Sequence, residues 1–121
     1  MQKITIMLFL PIFLFLSVES TLAQTPPKFW IRSLEGKRFD SRKEKSPFVI
    51  SFFFVNCVPC IKEIPDLYTF MNSTFPKIPL LFIDPIKEDS KKDIQRFSEK
   101  LKVPLSYFYK NFLGTISKKF F

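Results

Sequence analysis

The sequence contains no histidine and only two cysteines among its 121 residues. A structural zinc site needs four ligands, normally cysteine, histidine or carboxylate side chains. Because the chain offers no histidine and no third cysteine, a structural zinc site within one chain is all but excluded, and we predict no metal or other cofactor. The length leaves room for one domain.

Long hydrophobic runs are also scarce, and the longest one lies at the N-terminus. Lys3 precedes the apolar run Ile4 to Leu16, and the small residues of Thr21-Leu22-Ala23 follow it. This order is typical of a secretory signal peptide, here residues 1–23, removed before Gln24. The run is too short and too interrupted for a confident membrane span, although an uncleaved anchor is the alternative. We therefore expect an exported domain over residues 24–121, either periplasmic or secreted, in an oxidising compartment.

Acidic residues are outnumbered, with 19 Lys and Arg against 11 Asp and Glu and a net charge of +8. The basic residues are scattered along the chain and do not alternate with aromatic residues in a recognisable nucleic-acid motif. We therefore predict a solvated basic surface and no nucleic-acid partner. Weak attraction to acidic partners or to an anionic membrane surface is a secondary expectation.

Glycine is rare, and Gly36 marks the first predicted turn. Glu35-Gly36 separates the partly alternating segment Phe29 to Leu34 from Lys37-Arg38-Phe39, which predicts a small β-hairpin. The polar segment Asp40 to Ser46 that follows is predicted to be a surface loop.

The two cysteines follow an uncharged run, Phe48 to Val55, which is rich in Phe, Val and Ile. Such a run predicts a strand buried on both faces of a sheet. The apolar spacing then becomes helical, and one helix of about four turns is predicted with a stripe of five apolar residues. The members of this stripe are Ile61, Ile64, Tyr68, Met71 and Phe75.

Cys57 and Cys60 therefore stand where a strand meets the N-terminus of a helix. The unpaired backbone N–H groups and the helix dipole stabilise a thiolate there. We predict a depressed pKa and a nucleophilic role for Cys57, and a more buried, resolving role for Cys60. Pro59 fits the first helical turn and holds the two cysteines in bridging range. A structural clip, which would add little stability across so short a loop, and accidental buried thiols are the alternatives.

The remaining elements predict an α/β fold. Pro65 is expected to kink the cysteine helix or to break it into two segments. The apolar run Ile78 to Ile83 predicts a second buried strand, parallel to the first in a βαβ unit. Ser90 with Asp93 is typical of a capping box at the start of a second helix that ends before Pro104.

The second helix is expected to bury Ile94, Phe97 and Leu101 on one face. Leu105 to Tyr109 is then predicted as a third short strand, and Thr115 to Phe121 as the start of another helix after the turn Asn111 to Gly114.

These segments together resemble the exported thioredoxin-like reductases of the TlpA/ResA type. The resemblance runs from Phe29 to the last residue, and it is specific because a C-x-P-C followed by E-x-P is much rarer than C-x-x-C alone. The matching segments are Leu34-Glu35-Gly36-Lys37, Val49 to Phe54, Cys57-Val58-Pro59-Cys60, Glu63-Ile64-Pro65 and Ile83-Asp84.

The resemblance implies a thioredoxin-like fold in which Cys57 attacks, Cys60 resolves and Glu63 is a nearby acid. A carboxylate near the dithiol would disfavour the thiolate and tune proton transfer. An exposed Glu63 paired with a lysine is an equally plausible expectation. The family's cis-proline loop, two strands and final helix would follow Phe121, so the domain is expected to be incomplete at its C-terminus.

Two positions near the cysteines depart from the family pattern. The tryptophan that usually precedes the first cysteine is Asn56 here, which removes an aromatic shield. The polar residue six positions before that cysteine is Ser51, which is polar but not ionisable.

The function expected on these grounds is reduction of disulfides in exported proteins. Its partners would be a protein disulfide substrate and a membrane or periplasmic thiol electron donor. The alternative is a non-catalytic module that binds a partner and keeps a passive disulfide. A copper chaperone of the related exported type is disfavoured, because such sites need a histidine and wider cysteine spacing.

Overall fold

The computed structural model describes residues 27–111 and 114–120, so the predicted signal peptide (1–23) and Phe121 lie outside the described residues. The strands are β1 (Trp30–Arg32), β2 (Arg38–Asp40), β3 (Val49–Phe52), β4 (Leu80–Asp84) and β5 (Phe108–Lys110). The helices are α1 (Val58–Thr74), α2 (Lys91–Leu101) and α3 (Thr115–Phe120).

The predicted hairpin is confirmed, since β1 and β2 pair in antiparallel register with Ile31 opposite Phe39. Gly36 has φ +89°, a backbone conformation that side chains with a Cβ rarely adopt. The backbone N–H of Ser33 donates to the Lys37 carbonyl at 2.8 Å, which closes the turn.

The segment predicted to be a surface loop, Asp40 to Ser46, begins inside the fold. Asp40 is the last residue of β2 and is buried. The Arg42 side chain donates to both of its carboxylate oxygens at 3.0 Å, and this hydrogen bonding lowers the pKa of Asp40 to about 2. The prediction was wrong for Asp40 because a carboxylate with a charged partner can be buried.

The central sheet has the strand order β3-β4-β5, and all of its strands are parallel. The predicted parallel pairing of the two strands flanking the cysteine helix is therefore confirmed. The strand before the cysteines is shorter than predicted and only half-buried, because it lies at the edge of the described sheet. The central position belongs to β4, whose five residues are all buried.

The third strand also begins later than predicted. Leu105–Tyr107 forms a 3₁₀ turn, and only Phe108–Lys110 pairs with β4. The predicted short helix after Gly114 is present as α3. Residues 112 and 113 of the predicted turn Asn111 to Gly114 lie outside the described residues.

Alternate residues of β4 enter two apolar clusters on opposite faces of the sheet. Leu80 and Phe82 pack with α1 and α2, and Leu81 and Ile83 pack with the hairpin and α3. This alternation follows from the two-residue period of a strand. The molecule thus has a central sheet covered on both faces.

Helix α1 is continuous from Val58 to Thr74 with Pro65 inside it. Of the two predicted outcomes at Pro65, a kink or a break into two segments, the break is therefore absent. Its buried stripe consists of Cys60, Ile64 and Met71. Two members of the predicted stripe, Ile61 and Phe75, are 37% and 45% exposed, so the prediction was wrong at both ends. The stripe begins at the cysteine itself, one residue before Ile61.

Helix α2 matches its prediction at both ends. The Ser90 side chain accepts from the Asp93 backbone N–H at 3.1 Å, and the Asp93 carboxylate accepts from the Ser90 backbone N–H at 3.0 Å. Ile94, Phe97 and Leu101 are buried, as expected. The helix ends at Lys102, which has φ 57°.

Candidate functional site

Cys57 and Cys60 form a disulfide at the N-terminus of α1, with their Cα atoms 5.3 Å apart. Cys57 is the N-cap residue and has extended backbone angles, whereas Cys60 lies in the first helical turn. The strand β3 and the helix α1 together place the pair at the carboxyl end of the parallel sheet. The predicted placement at a strand-to-helix junction is confirmed.

The two sulfur-bearing residues differ in burial as the sequence predicts. Cys60 is 7% exposed and belongs to the core cluster between the sheet and α1 and α2, whereas Cys57 is only half-buried. Beneath the pair lies an aromatic group: Phe53 stacks on Phe97 at 5.5 Å and meets Phe108 edge to face. Access from solvent is therefore better at Cys57 than at Cys60.

The electrostatic environment of the pair comes from the backbone more than from side chains. No side chain caps α1, and its first turn contains no acidic residue. The backbone N–H groups of the first turn therefore have no carboxylate to neutralise them, so their partial positive charge favours a thiolate at the N-cap residue Cys57 in the reduced protein. Pro59 occupies this first turn, where its missing N–H breaks no helical hydrogen bond.

Three hydrogen bonds hold the turn that carries Cys57. The Phe53 N–H donates to the Ile83 carbonyl at 3.0 Å, and the Cys57 N–H donates to the Phe54 carbonyl at 3.1 Å. The third contact crosses to the loop after β4, where Asp89 Oδ2 accepts from the Val55 N–H at 3.0 Å.

Asp84 lies next to this third contact and was not predicted as a site residue. Its side chain has no exposed surface, and its Oδ1 accepts from the Ile86 N–H at 2.8 Å. Burial, followed by the contact with the Asp89 side chain, raises the pKa of Asp84 to about 7. The sequence signals for Asp84 were its position at the end of a buried strand, where parallel strands place functional groups at one edge, and the family-like segment Ile83-Asp84.

The surface around Cys57 is apolar. Phe54, Val58 and Ile61 are 45%, 76% and 37% exposed, although the sequence predicted Phe54 and Ile61 to be buried. No charged residue occurs between Phe48 and Ile61. A protein substrate would therefore meet the sulfur of Cys57 across an uncharged apolar rim.

The other predicted site residues lie apart from this arrangement. Glu63 is exposed on α1, and the described residues give it no hydrogen bond or ion pair. The lysine pairing expected as an alternative is thus not formed within this part of the chain, and its role as a nearby acid stays a prediction. Ser51 is half-buried in β3 and Asn56 is exposed.

A cavity of about 810 Å³ lies elsewhere, beside the hairpin, the end of β5 and α3. Six basic residues and no acidic residue line it, which makes it electropositive, but neither cysteine contributes to it. Its basic residues are Lys28, Arg32, Arg42, Lys91, Lys110 and Lys119. Within residues 27–111 and 114–120 no three His, Cys, Asp or Glu side chains are grouped as metal ligands would be.

Comparison with known proteins identifies the fold. No protein-family model matches the sequence, and no curated protein is significantly similar to it. A secreted disulfide oxidoreductase of Mycobacterium tuberculosis, homologous to E. coli DsbE, superposes with a TM-score of 0.61 at 22% identity. The alignment covers 76% of this chain and 66% of that one.

Two further solved structures extend the comparison. The thioredoxin domain of a Bacteroides vulgatus thiol-disulfide oxidoreductase gives a TM-score of 0.60 at 20% identity, covering 83% of this chain and 74% of that one. A SCO1/SenC family lipoprotein from Bacillus anthracis gives 0.56 at 19% identity, covering 84% and 66%. The predicted thioredoxin-like α/β fold is confirmed.

None of the helices in the described ranges is long and apolar enough to cross a membrane.

Proposed function

We propose that this protein is a thiol-disulfide oxidoreductase that reduces disulfides of exported proteins through Cys57 and Cys60. The observation that supports this most is the asymmetric pair at the start of α1. Its half-buried outer cysteine is bonded to a buried inner one. Solved structures with the same fold include thiol-disulfide oxidoreductases.

The reaction begins from the reduced pair. The Cys57 thiolate attacks one sulfur of the substrate disulfide, that S–S bond breaks, and the departing substrate thiolate takes up a proton. Cys60, as its thiolate, then attacks the Cys57 sulfur of the mixed disulfide. The second substrate thiolate leaves, and Cys57 and Cys60 are left oxidised. A dithiol electron donor restores the reduced pair with two electrons and two protons.

The reductive direction follows from the surroundings of Cys57. A strongly oxidising disulfide is one whose reduced form is specially stabilised. Here the residues between the cysteines, Val58 and Pro59, carry no charge, and the described contacts of the turn include no cation. The reduced pair thus lacks the additional stabilisation that would make the disulfide a strong oxidant.

The test is turnover of insulin disulfides by the reduced protein, with dithiothreitol as electron donor. Wild type is expected to accelerate insulin reduction over the dithiothreitol background, and Cys57→Ser to abolish the acceleration. Cys60→Ser is expected to accumulate a mixed disulfide with insulin that is visible on a non-reducing gel, because the second attack is lost.

Ser73→Ala, an exposed change near the other end of the same helix, is the matched control and is expected to retain wild-type turnover. Circular dichroism of each variant checks that the fold is intact. A folded wild-type protein without turnover would favour the second candidate, a non-catalytic thioredoxin-fold module with a passive disulfide. The exposed apolar rim at Phe54, Val58 and Ile61 suits such a binding role equally well.

Export is part of the proposal. Its supports are the signal-like pattern of residues 1–23 and the disulfide, which persists in oxidising compartments. Expression of the full chain in a Gram-negative host is expected to yield a periplasmic protein whose N-terminal residue is Gln24. Recovery of the uncleaved chain in the membrane fraction would instead support the anchored alternative.

A further inference from the structure

We propose that Asp84 and Asp89 act as a proton-linked positioning pair for Cys57, holding the turn before the reactive cysteine while Asp84 is protonated. The inference rests on the proposed function for its catalytic meaning. The linkage itself is a property of the fold and is tested separately.

The first support is the isolation of the Asp84 carboxyl group. Its side chain is fully buried, and among the described residues no hydrogen-bond donor reaches its Oδ2. The group that faces it instead is the Asp89 carboxyl. A buried charge without a donor is costly, so the neutral acid is favoured at this position.

The second support is that two carboxylates are both acceptors. They form a hydrogen bond only when one of them carries a proton. Because Asp84 is the more buried of the two, the proton resides on Asp84, whose O–H then donates to Asp89. Asp89, which is half-buried, keeps its second interaction.

That second interaction connects the pair to the cysteine turn. Asp89 Oδ2 accepts from the Val55 N–H at 3.0 Å, and Val55 stands two residues before Cys57. The Cys57 N–H itself bonds back to Phe54. Asp89 thus joins the loop after β4 to the turn between β3 and α1, and Asp84 orients Asp89.

The charged groups around Asp84 define what happens when it ionises. Lys110, on β5, attracts ionised Asp84 and so lowers the pKa of Asp84, against the effect of burial. The Lys110 ammonium donates to the Ile86 carbonyl at 2.6 Å. From the turn before α1 there is no ionisable side chain other than the cysteines. Ionised Asp84 therefore repels Asp89. Because Asp89 lies beside the exposed segment 86–88, this repulsion moves the Asp89 side chain outward, towards solvent.

The consequence for the chemistry is that the turn before Cys57 is no longer held in position above the pH at which Asp84 ionises. Without Asp89, the Val55 N–H loses its acceptor and the turn before Cys57 is less well held. The added buried negative charge also disfavours the Cys57 thiolate. Cys57 is thus expected to be the better nucleophile while Asp84 keeps its proton.

The direct test is an NMR titration of the Val55 amide in the oxidised full chain from pH 5.5 to 8.5. The wild-type shift is expected to change in one step with a midpoint near 7, following Asp84. The chain has no histidine and both cysteines are bonded, so the α-amino group is the other group that titrates near this pH.

Asp84→Asn is expected to remove the step, because the amide donates to Asp89 at every pH. Asp89→Asn, at the half-buried position, is expected to remove it as well, since its amide donates to ionised Asp84. The matched control is Asp66→Asn, an exposed change on α1, which is expected to keep the step. A wild-type amide without a step, or a step that survives in both pair variants, would overturn the linkage.

The positioning role is tested on the reduced protein by iodoacetamide alkylation of Cys57. At pH 8, Asp84→Asn is expected to react about threefold or more faster than wild type, and at pH 6 the two rates are expected to converge. Coincident profiles would overturn the positioning role. Failure of insulin turnover with the Val55 step intact would count against the proposed function and would leave the linkage standing.

Discussion

Asp84 is the residue at which burial and ionisation conflict most strongly in the described part of the chain. The pKa of its carboxyl group in the folded protein is about 7, against an ordinary value of 3.8. Between these values the native state binds more protons than the unfolded state, so this group's contribution to the free energy of unfolding falls as pH rises from about 4 to about 7. Above about pH 7 the contribution is constant.

Asp84→Asn is therefore expected to raise the free energy of unfolding at pH 8 by about 1–3 kcal/mol, the cost of a buried unpaired group. At pH 5 the gain is expected to be much smaller, because wild-type Asp84 is then neutral. Urea unfolding at the two pH values measures the difference. Equal effects at both values would contradict the ionisation of Asp84 in the folded protein.

For individual residues, the sequence predicted that Cys57 and Cys60 form the site and that Cys60 is the more buried of the two. It could do so because the change from a continuous apolar run to helical apolar spacing locates the start of the helix. It did not predict Asp84 or Asp89 as site residues. The bond from Val55 to Asp89 joins loops that are 34 residues apart in sequence. Nothing in the local pattern around Asp89 indicates which backbone group it will meet.

Helix α1 contains two prolines whose positions differ in energetic cost. Pro59 lies in the first turn, where no helical hydrogen bond is lost, whereas Pro65 lies in the interior and leaves the Ile61 carbonyl without its helical donor. Because Ile61 is 37% exposed, water reaches this region and reduces the cost. The helix consequently continues through Pro65, where a kink or a break was predicted.

Pro65→Ala is expected to raise the free energy of unfolding by about 1–3 kcal/mol, since it restores the hydrogen bond and removes the ring clash. Pro59→Ala is the matched control and is expected to give no gain, because its proline fits the first turn. Urea unfolding of the oxidised proteins measures both. An equal gain from the two substitutions would show that interior position is not the cause.

Among the elements, local signals predicted best where a side chain acts on its own backbone. The Ser90 and Asp93 capping box and the Gly36 turn were both found this way. The length of β3 and the 3₁₀ turn before β5 were not, because strand ends depend on the neighbouring strand that the local sequence does not contain.

For the whole molecule, the disulfide is a minor source of stability. It closes a loop with a sequence separation of 3, and a loop this short restricts the unfolded chain by only about 2 kcal/mol. We expect the two apolar clusters on either side of β4 to remain when the disulfide is reduced, because they are built almost entirely from other side chains. The protein is thus expected to stay folded in both redox states, as the proposed reductase cycle requires.

Reduction with dithiothreitol is expected to lower the free energy of unfolding by about 2 kcal/mol while leaving the circular dichroism spectrum unchanged. Cys60→Ser checks the same point without a reducing agent, although it also changes a buried side chain. Unfolding upon reduction would contradict the view that the two clusters hold the fold.

The overall α/β arrangement followed from the order of apolar runs, and the parallel pairing of β3 with β4 followed from the helix between them. The position of the hairpin on the sheet could not be predicted in this way. It covers the second face of the sheet and reaches β5 through a bridge between Ser33 and Tyr109, a contact between distant segments.

The hairpin also carries the single tryptophan of the chain. Trp30 is 52% exposed, the Arg38 guanidinium lies 4.6 Å from its ring centroid, and the ring lines the basic cavity. Intrinsic fluorescence excited at the indole band therefore reports on the hairpin and on the contact between Trp30 and Arg38. The redox state of the cysteines on α1 has no indole beside it and is better followed by thiol labelling.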